Sequence, residues 1–299
     1  MMAATLLKTR QVARALGVSV STIKRWVDSG ALRATRTVGR HRLIRLSDAL
    51  QFARRRGLPH ANFELLIGAG ATHLGAIDDP VRATLTAALC AGRTREAKAL
   101  IHSVYASGQS AVALADQLIR PVMERIGHGW MVGALDVFHE HQASLIVAMA
   151  LMDLIDRTAP PSVGAPPLAL GAAPEGDTYL LPGLLAELIL REQGWEVRNL
   201  GANLPLRSLA NAVLEFRPRM VFLSASHLTD EDRFVREYTS FYENAAAHDV
   251  AVILGGQALR PEVRARLVFA SFGDRMAHLS EFARRLNPAS GASANGDGQ

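Results

Sequence analysis

Three rhythms of apolar residues succeed one another along this chain, and each predicts a different kind of element. From Thr9 to Leu16, from Ser19 to about Ser29 and from Asp48 to Arg56, apolar positions recur at helical spacing between residues suited to helix ends. Thr9, Ser19 and Ser47 read as N-caps, and Gly17, Gly30 and Gly57 as stops. In the second helix Val20, Ile23 and Val27 share one side, and Trp26 suits a core plug. That leaves Ser21, Thr22, Lys24 and Arg25 on the open side. Val38-Gly39 marks a turn between two short extended arms carrying Arg36, Arg40, His41 and Arg42, a hairpin wing. Residues 1–58 thus predict a winged helix-turn-helix, and 59–77 a linker.

The second rhythm, over 78–158, is Ala- and Leu-rich and helical. Stops at Gly92 and Gly108 and breaks near Pro121 and Gly133 divide it into a four-helix bundle. Met149 and Met152 suit its core. The stretch 159–167, with Pro160, Pro161, Gly164, Pro166 and Pro167, is a stiff connector. The third rhythm, over 168–287, alternates short apolar runs with helical patterns. The runs are Leu168–Ala172, Glu196–Leu200, Met220–Leu223 and Ala251–Leu254. Strands separated by helices pair in parallel, so the expectation is an α/β, flavodoxin-like, doubly wound sheet with its functional loops at the carboxyl ends of the strands. Those loops are Ala173–Pro182, Gly201–Pro205, Ser224–Asp230 and Gly255–Leu259. Residues 288–299 read as a flexible tail.

Charge changes the picture at one end. Thirteen of the first sixty residues are Lys or Arg and two, Asp28 and Asp48, are acidic, so a local +11 sits on a chain of net charge +5; the remaining 239 residues carry −6. A basic head with capped helices predicts contact with double-stranded promoter DNA through Ser21, Thr22, Lys24, Arg25, Arg36, Arg40, His41 and Arg42. One head covers little DNA, so a homo-oligomer, dimer or tetramer, is expected. Cys90 stands alone, which excludes an internal disulfide and fits a reducing compartment. With no signal-like start and no apolar run of about 20 residues, the chain reads as cytoplasmic, with no membrane partner. His139 and His141, two residues apart, point to different sides of a helix and cannot chelate one ion from it. His128 and His227 are isolated.

The head resembles the MerR and excisionase class in Ser21-Thr-Ile-Lys-Arg-Trp26 and in Arg36-Thr-Val-Gly-Arg-His-Arg42. The last domain resembles cobalamin-binding domains. Asp177-Thr-Tyr179-Leu-Leu-Pro182 stands in the place of their Asp-x-His-x-x-Gly loop, with forty-one residues before Ser224-Ala-Ser226 and twenty-eight more before Gly255-Gly256. The bundle carries Trp130, nine residues, then Glu140-His141, as in light-sensing MerR-type regulators that cap adenosylcobalamin. This resemblance implies a DNA-binding repressor, not an enzyme, in which Trp130, Met131, Glu140, His141, Asp177, Tyr179, Ser224, Ser226, Gly255 and Gly256 surround the cofactor. In such regulators the cofactor holds a DNA-bound tetramer together until light breaks its cobalt–carbon bond.

Departures keep alternatives open. Tyr179 stands where the resemblance places the lower cobalt-ligating His, and Met131 where it places a second His; phenol and thioether are poorer cobalt ligands than imidazole. Pro182 replaces the loop's Gly, and Ser226 a Leu. Three readings follow: a cobalamin held with its own base or with Tyr179 below cobalt; another planar tetrapyrrole; or no ligand, with the domain serving only oligomerisation. A corrinoid-dependent enzyme is the rival class.

Overall fold

The computed structural model describes residues 6–36, 42–45, 48–49, 52, 56, 77–158, 165–267 and 269–287. Helices α1 (Thr9–Ala15) and α2 (Val20–Asp28) form the helix-turn-helix. Ser19 caps α2, its Oγ accepting from the Thr22 N–H at 3.1 Å. At α1 the cap position falls to Lys8 rather than Thr9. The Gln11 side chain reaches back to accept from the Lys8 N–H at 2.8 Å, half of a capping box, and Thr9 becomes the first helical residue. Val12, Ile23, Leu32, Ile44, Ala49 and Phe52 form the head's core, and Trp26 packs on it with its ring 4.8 Å from that of Phe52. Trp26 is the predicted plug.

The wing strands β2 (Thr35–Arg36) and β3 (Arg42–Arg45) pair antiparallel, and a third strand, β1 (Leu6–Lys8), completes the sheet on the other edge of β3. β1 was not expected, since three residues carry no usable period. Residues 48–49 and 52 are helical, as expected for the third helix. The wing tip with Arg40 and His41, the linker over 59–76 and the tail lie outside the described residues.

The bundle comprises α3 (Asp79–Cys90), α4 (Thr94–Ala106), a run made of α5 (Ala111–Ala113), a π-helical turn (Leu114–Ile119) and α6 (Arg120–Met131), and α7 (Val137–Arg157). The expected break at Pro121 is instead a passage. Proline has no N–H to donate and its ring crowds the carbonyl four residues back. The wider π turn absorbs this, and the freed Gln117 carbonyl accepts from Arg82 Nη1 at 3.0 Å. Met149 packs on the bundle core as expected. Met152, also expected there, is exposed, because it falls on the outer side of α7.

Beyond the connector, β4 (Leu168–Ala172), β5 (Glu196–Asn199), β6 (Met220–Ser224), β7 (Ala251–Gly255) and β8 (Ser271–Gly273) form a parallel sheet in the order β5-β4-β6-β7-β8. That order, 2-1-3-4-5 within this domain, is the flavodoxin-like one, as the expected fold class requires; its fifth strand, β8, has three residues that the apolar pattern did not announce. Helices α8 (Leu181–Glu192) and α12 (Met276–Leu286) cover one face, and α9 (Leu206–Phe216) and α10 (Glu231–Ala247) the other; α11 (Pro261–Arg264) is a single turn.

The bundle and the sheet share a core. Leu184, Leu185, Leu188 and Ile189 of α8 are buried together with Ala143, Val147, Leu151 and Leu154 of α7. Each of these Leu, Ile and Val side chains contributes about 1.5–3 kcal/mol relative to exposure. Two carboxylates seat on helix starts across the same seam. Glu192 accepts from the Ala111 N–H at 3.1 Å and from the Tyr105 hydroxyl at 3.2 Å, and Asp116 from the Met276 and Ala277 N–H groups at 3.1 and 3.0 Å.

Candidate functional sites

On the head, Ser21, Lys24 and Arg25 lie on the open side of α2 while Ile23 is fully buried, so the helical period sorts open side from core as expected. Thr22 is half-buried. Both hydroxyls help form the cap, with Ser21 Oγ 2.7 Å and Thr22 Oγ1 2.9 Å from Ser19 Oγ. Arg36 lies in β2, paired with Arg42 in β3. The Arg42 guanidinium does not extend freely toward solvent: Nη2 sits 2.6 Å from Asp28 Oδ1 at the end of α2.

On the body, the loops at the carboxyl ends of β4 and β6 are tied by Asp177, which is fully buried. Its Oδ1 accepts from the Tyr179 N–H at 2.9 Å, and its Oδ2 from the Ser226 and His227 N–H groups at 2.5 and 3.1 Å. Charge-assisted bonds of this kind are the strong ones. Asn203, which sequence reasoning passed over, completes the tie. Its side chain accepts from the Gly176 N–H at 2.8 Å and its own N–H donates to the Asp177 carbonyl at 2.8 Å, while its φ is +56°. Asn is the residue, after Gly, that adopts this left-handed conformation most readily, so Gly201-Ala-Asn203 was the available signal.

The Gly255-Gly256 pair has a reason within the fold itself. A β-carbon on Gly256, whose φ is +118°, would lie 2.2 Å from the Ala225 carbonyl oxygen, and one on Gly255 2.9 Å from that of Gly273. The fold's own backbone demands both glycines, before any ligand is considered. Ser224 is buried at the end of β6 and Ser226 half-buried.

Several large apolar residues of the bundle and of the loop before α8 are exposed. Trp130, Met131 and Val132 end α6; Val137, Phe138, Leu145 and Met152 line α7; Tyr179 and Leu180 precede α8. Glu192 at the end of α8 meets Tyr105, which lines a cavity with Leu154 and Arg157 at the end of α7, so the two helices run side by side in one direction. The start of α8, with Tyr179 and Leu180, therefore lies toward the first half of α7, where Phe138, His141 and Leu145 are exposed. Exposed apolar residues on both the bundle and this loop are candidates for covering a ligand or partner. Glu140 accepts from the Ser144 hydroxyl at 2.9 Å, and His141 Nε2 lies 3.8 Å from its carboxylate.

These residues fit the apolar faces of a macrocycle better than its axial positions. Met131, 71% exposed, and Tyr179, 49% exposed, are open to a ligand but bring a thioether and a phenol. The Asp177 carboxylate serves the backbone.

Comparison with known proteins agrees with this anatomy. The model of a helix-turn-helix domain matches residues 6–57, and models of B12 binding domains match residues 81–154 and 167–281. The HTH-type transcriptional repressors CarA and CarH of Myxococcus xanthus are each 32% identical, over 171 and 152 residues, or 56% and 48% of this chain. The chain spans about half the length of these curated relatives, 54% and 47%. Among solved structures, the Methanosarcina barkeri monomethylamine corrinoid protein superposes with a TM-score of 0.56 at 13% identity, covering 69% of this chain and 98% of its own, which shows a shared fold. No helix among the described residues is long and apolar enough to cross a membrane.

Proposed function

We propose that this chain, a helix-turn-helix domain joined to B12 binding domains and similar to the Myxococcus repressors, is a DNA-binding transcriptional repressor whose oligomeric state is set by cobalamin. The observation that carries this reading is the pairing of a basic α2 face with exposed apolar residues on the bundle and on the Asp177 loop, on one chain. Lys24 and Arg25 meet phosphates and base edges, and Ser21 and Thr22 hold the start of the same helix. Trp130, Phe138, Leu145 and Leu180 cover the cofactor's faces, and Asp177 fixes the loops that receive its tail. When bound, adenosylcobalamin supplies a light-labile cobalt–carbon bond. We take the active assembly to be a dimer or tetramer located in the cytoplasm and read no catalytic role, since the place of a corrinoid enzyme's partner domain is taken by the head.

Gel filtration of the protein with adenosylcobalamin in the dark, read at protein and corrin wavelengths, tests this. Co-elution in a species larger than the ligand-free protein is expected, with reversion after green light. A colourless protein peak of unchanged size contradicts it.

A second reading draws on Met131 and Tyr179: a different planar tetrapyrrole, or an oligomerisation module with no ligand. Ligand-independent oligomers in the same experiment favour the module.

A further inference from the structure

Asp28 sits where two fields oppose it. It is the last residue of α2, so its charge meets the negative end of the helix dipole, and α2 is the helix read above as facing the DNA polyanion. It is also one of two acidic residues in a head with thirteen basic ones. Arg42 opens β3, the central strand of the wing sheet, and places Nη2 2.6 Å from Asp28 Oδ1 with its side chain only 24% exposed. The neighbouring Leu43 and Ile44 fix that strand, Ile44 buried in the head core and paired with Leu7 of β1.

We infer that Asp28 and Arg42 form a clamp holding the wing sheet at a set angle to the recognition helix, and that Arg42 is a positioning residue and not a phosphate contact. This rests on the DNA-binding reading. It makes a prediction of opposite sign to simple electrostatics. Removing a negative charge beside DNA should tighten binding, whereas breaking the clamp should loosen it.

The test uses full-length protein and a duplex enriched by the wild-type chain from a random-sequence library. Asp28→Asn is expected to lower affinity by up to about fivefold, the range of an exposed ion pair. Arg42→Ala is expected to lower it similarly while leaving the slope of log affinity against log salt unchanged, because no phosphate contact is lost. The double variant should lose no more than either single one. Tighter binding by Asp28→Asn, or a slope shallower by about one unit for Arg42→Ala, would overturn the clamp. Asp28→Asn is isosteric and keeps the test available should Arg42→Ala fail to fold, which its thermal transition reports. Failure of the wild-type chain to enrich any duplex would overturn the DNA-binding reading itself.

Discussion

Asp177 shows how one side chain can hold a site without touching a ligand. Its carboxylate accepts three backbone N–H groups from two loops, and Asp177→Ala would leave those donors without their partner in the interior. An unsatisfied buried donor costs about 1–3 kcal/mol, so a loss of about 3 kcal/mol in unfolding free energy is expected, read by urea denaturation. Gly256→Ala should do comparable harm, since the new methyl must move the Ala225 carbonyl out of a 2.2 Å approach; cobalamin binding should fall with it, as absorbance of the co-eluting protein would report. The identity of these residues was legible in the sequence, their reasons less so. Spacing located Asp177 and the glycine pair. What they contact lies far along the chain, Ser226 and His227 for Asp177, Ala225 for Gly256 and Gly273 for Gly255, and no local pattern encodes that. Arg42 is a similar case on the head, where the basic wing is legible in the sequence but the Asp28 carboxylate beside Arg42 is not.

At the level of elements, helices whose period and caps agree were legible, and short strands were not. β1 and β8 have three residues each and gain their stability from pairing with β3 and β7. Pro121 misled because proline ends helices in general, while here Arg82 supplies the partner that the displaced carbonyl needs. The seam between bundle and sheet was invisible for a related reason: α8 reads as a sheet-covering helix, and only packing reveals that it also completes the bundle core. Glu192 at that seam has its carboxyl held above the ordinary range, chiefly by partial burial, against the opposing pull of the Ala111 N–H and the Tyr105 hydroxyl. A group whose pKa is raised on folding contributes stability at low pH that is lost as pH rises through the raised value. Wild type should therefore gain stability relative to Glu192→Gln as pH falls from about 7 to about 4, measured as the difference in urea midpoints. A constant difference would show that Glu192 titrates alike in both states.

For the whole molecule, a +11 head stands against a −6 body, and the proposed reading assigns DNA binding to the first and ligand sensing to the second. Order of rhythms along the chain gave the three parts. Because α7 and α8 share a core, bundle and sheet form one unit, and both contribute exposed apolar residues. On the proposed reading, a ligand covering these residues would change what a second copy can pack against, and a change in the number of joined heads would change affinity for paired half-sites by far more than any single contact. The most direct test is fluorescence anisotropy of the enriched duplex titrated with protein in the dark, with and without adenosylcobalamin. Tighter, steeper binding with the cofactor, relaxing to the cofactor-free curve after green light, is the predicted result. Superimposable curves under all three conditions would contradict it.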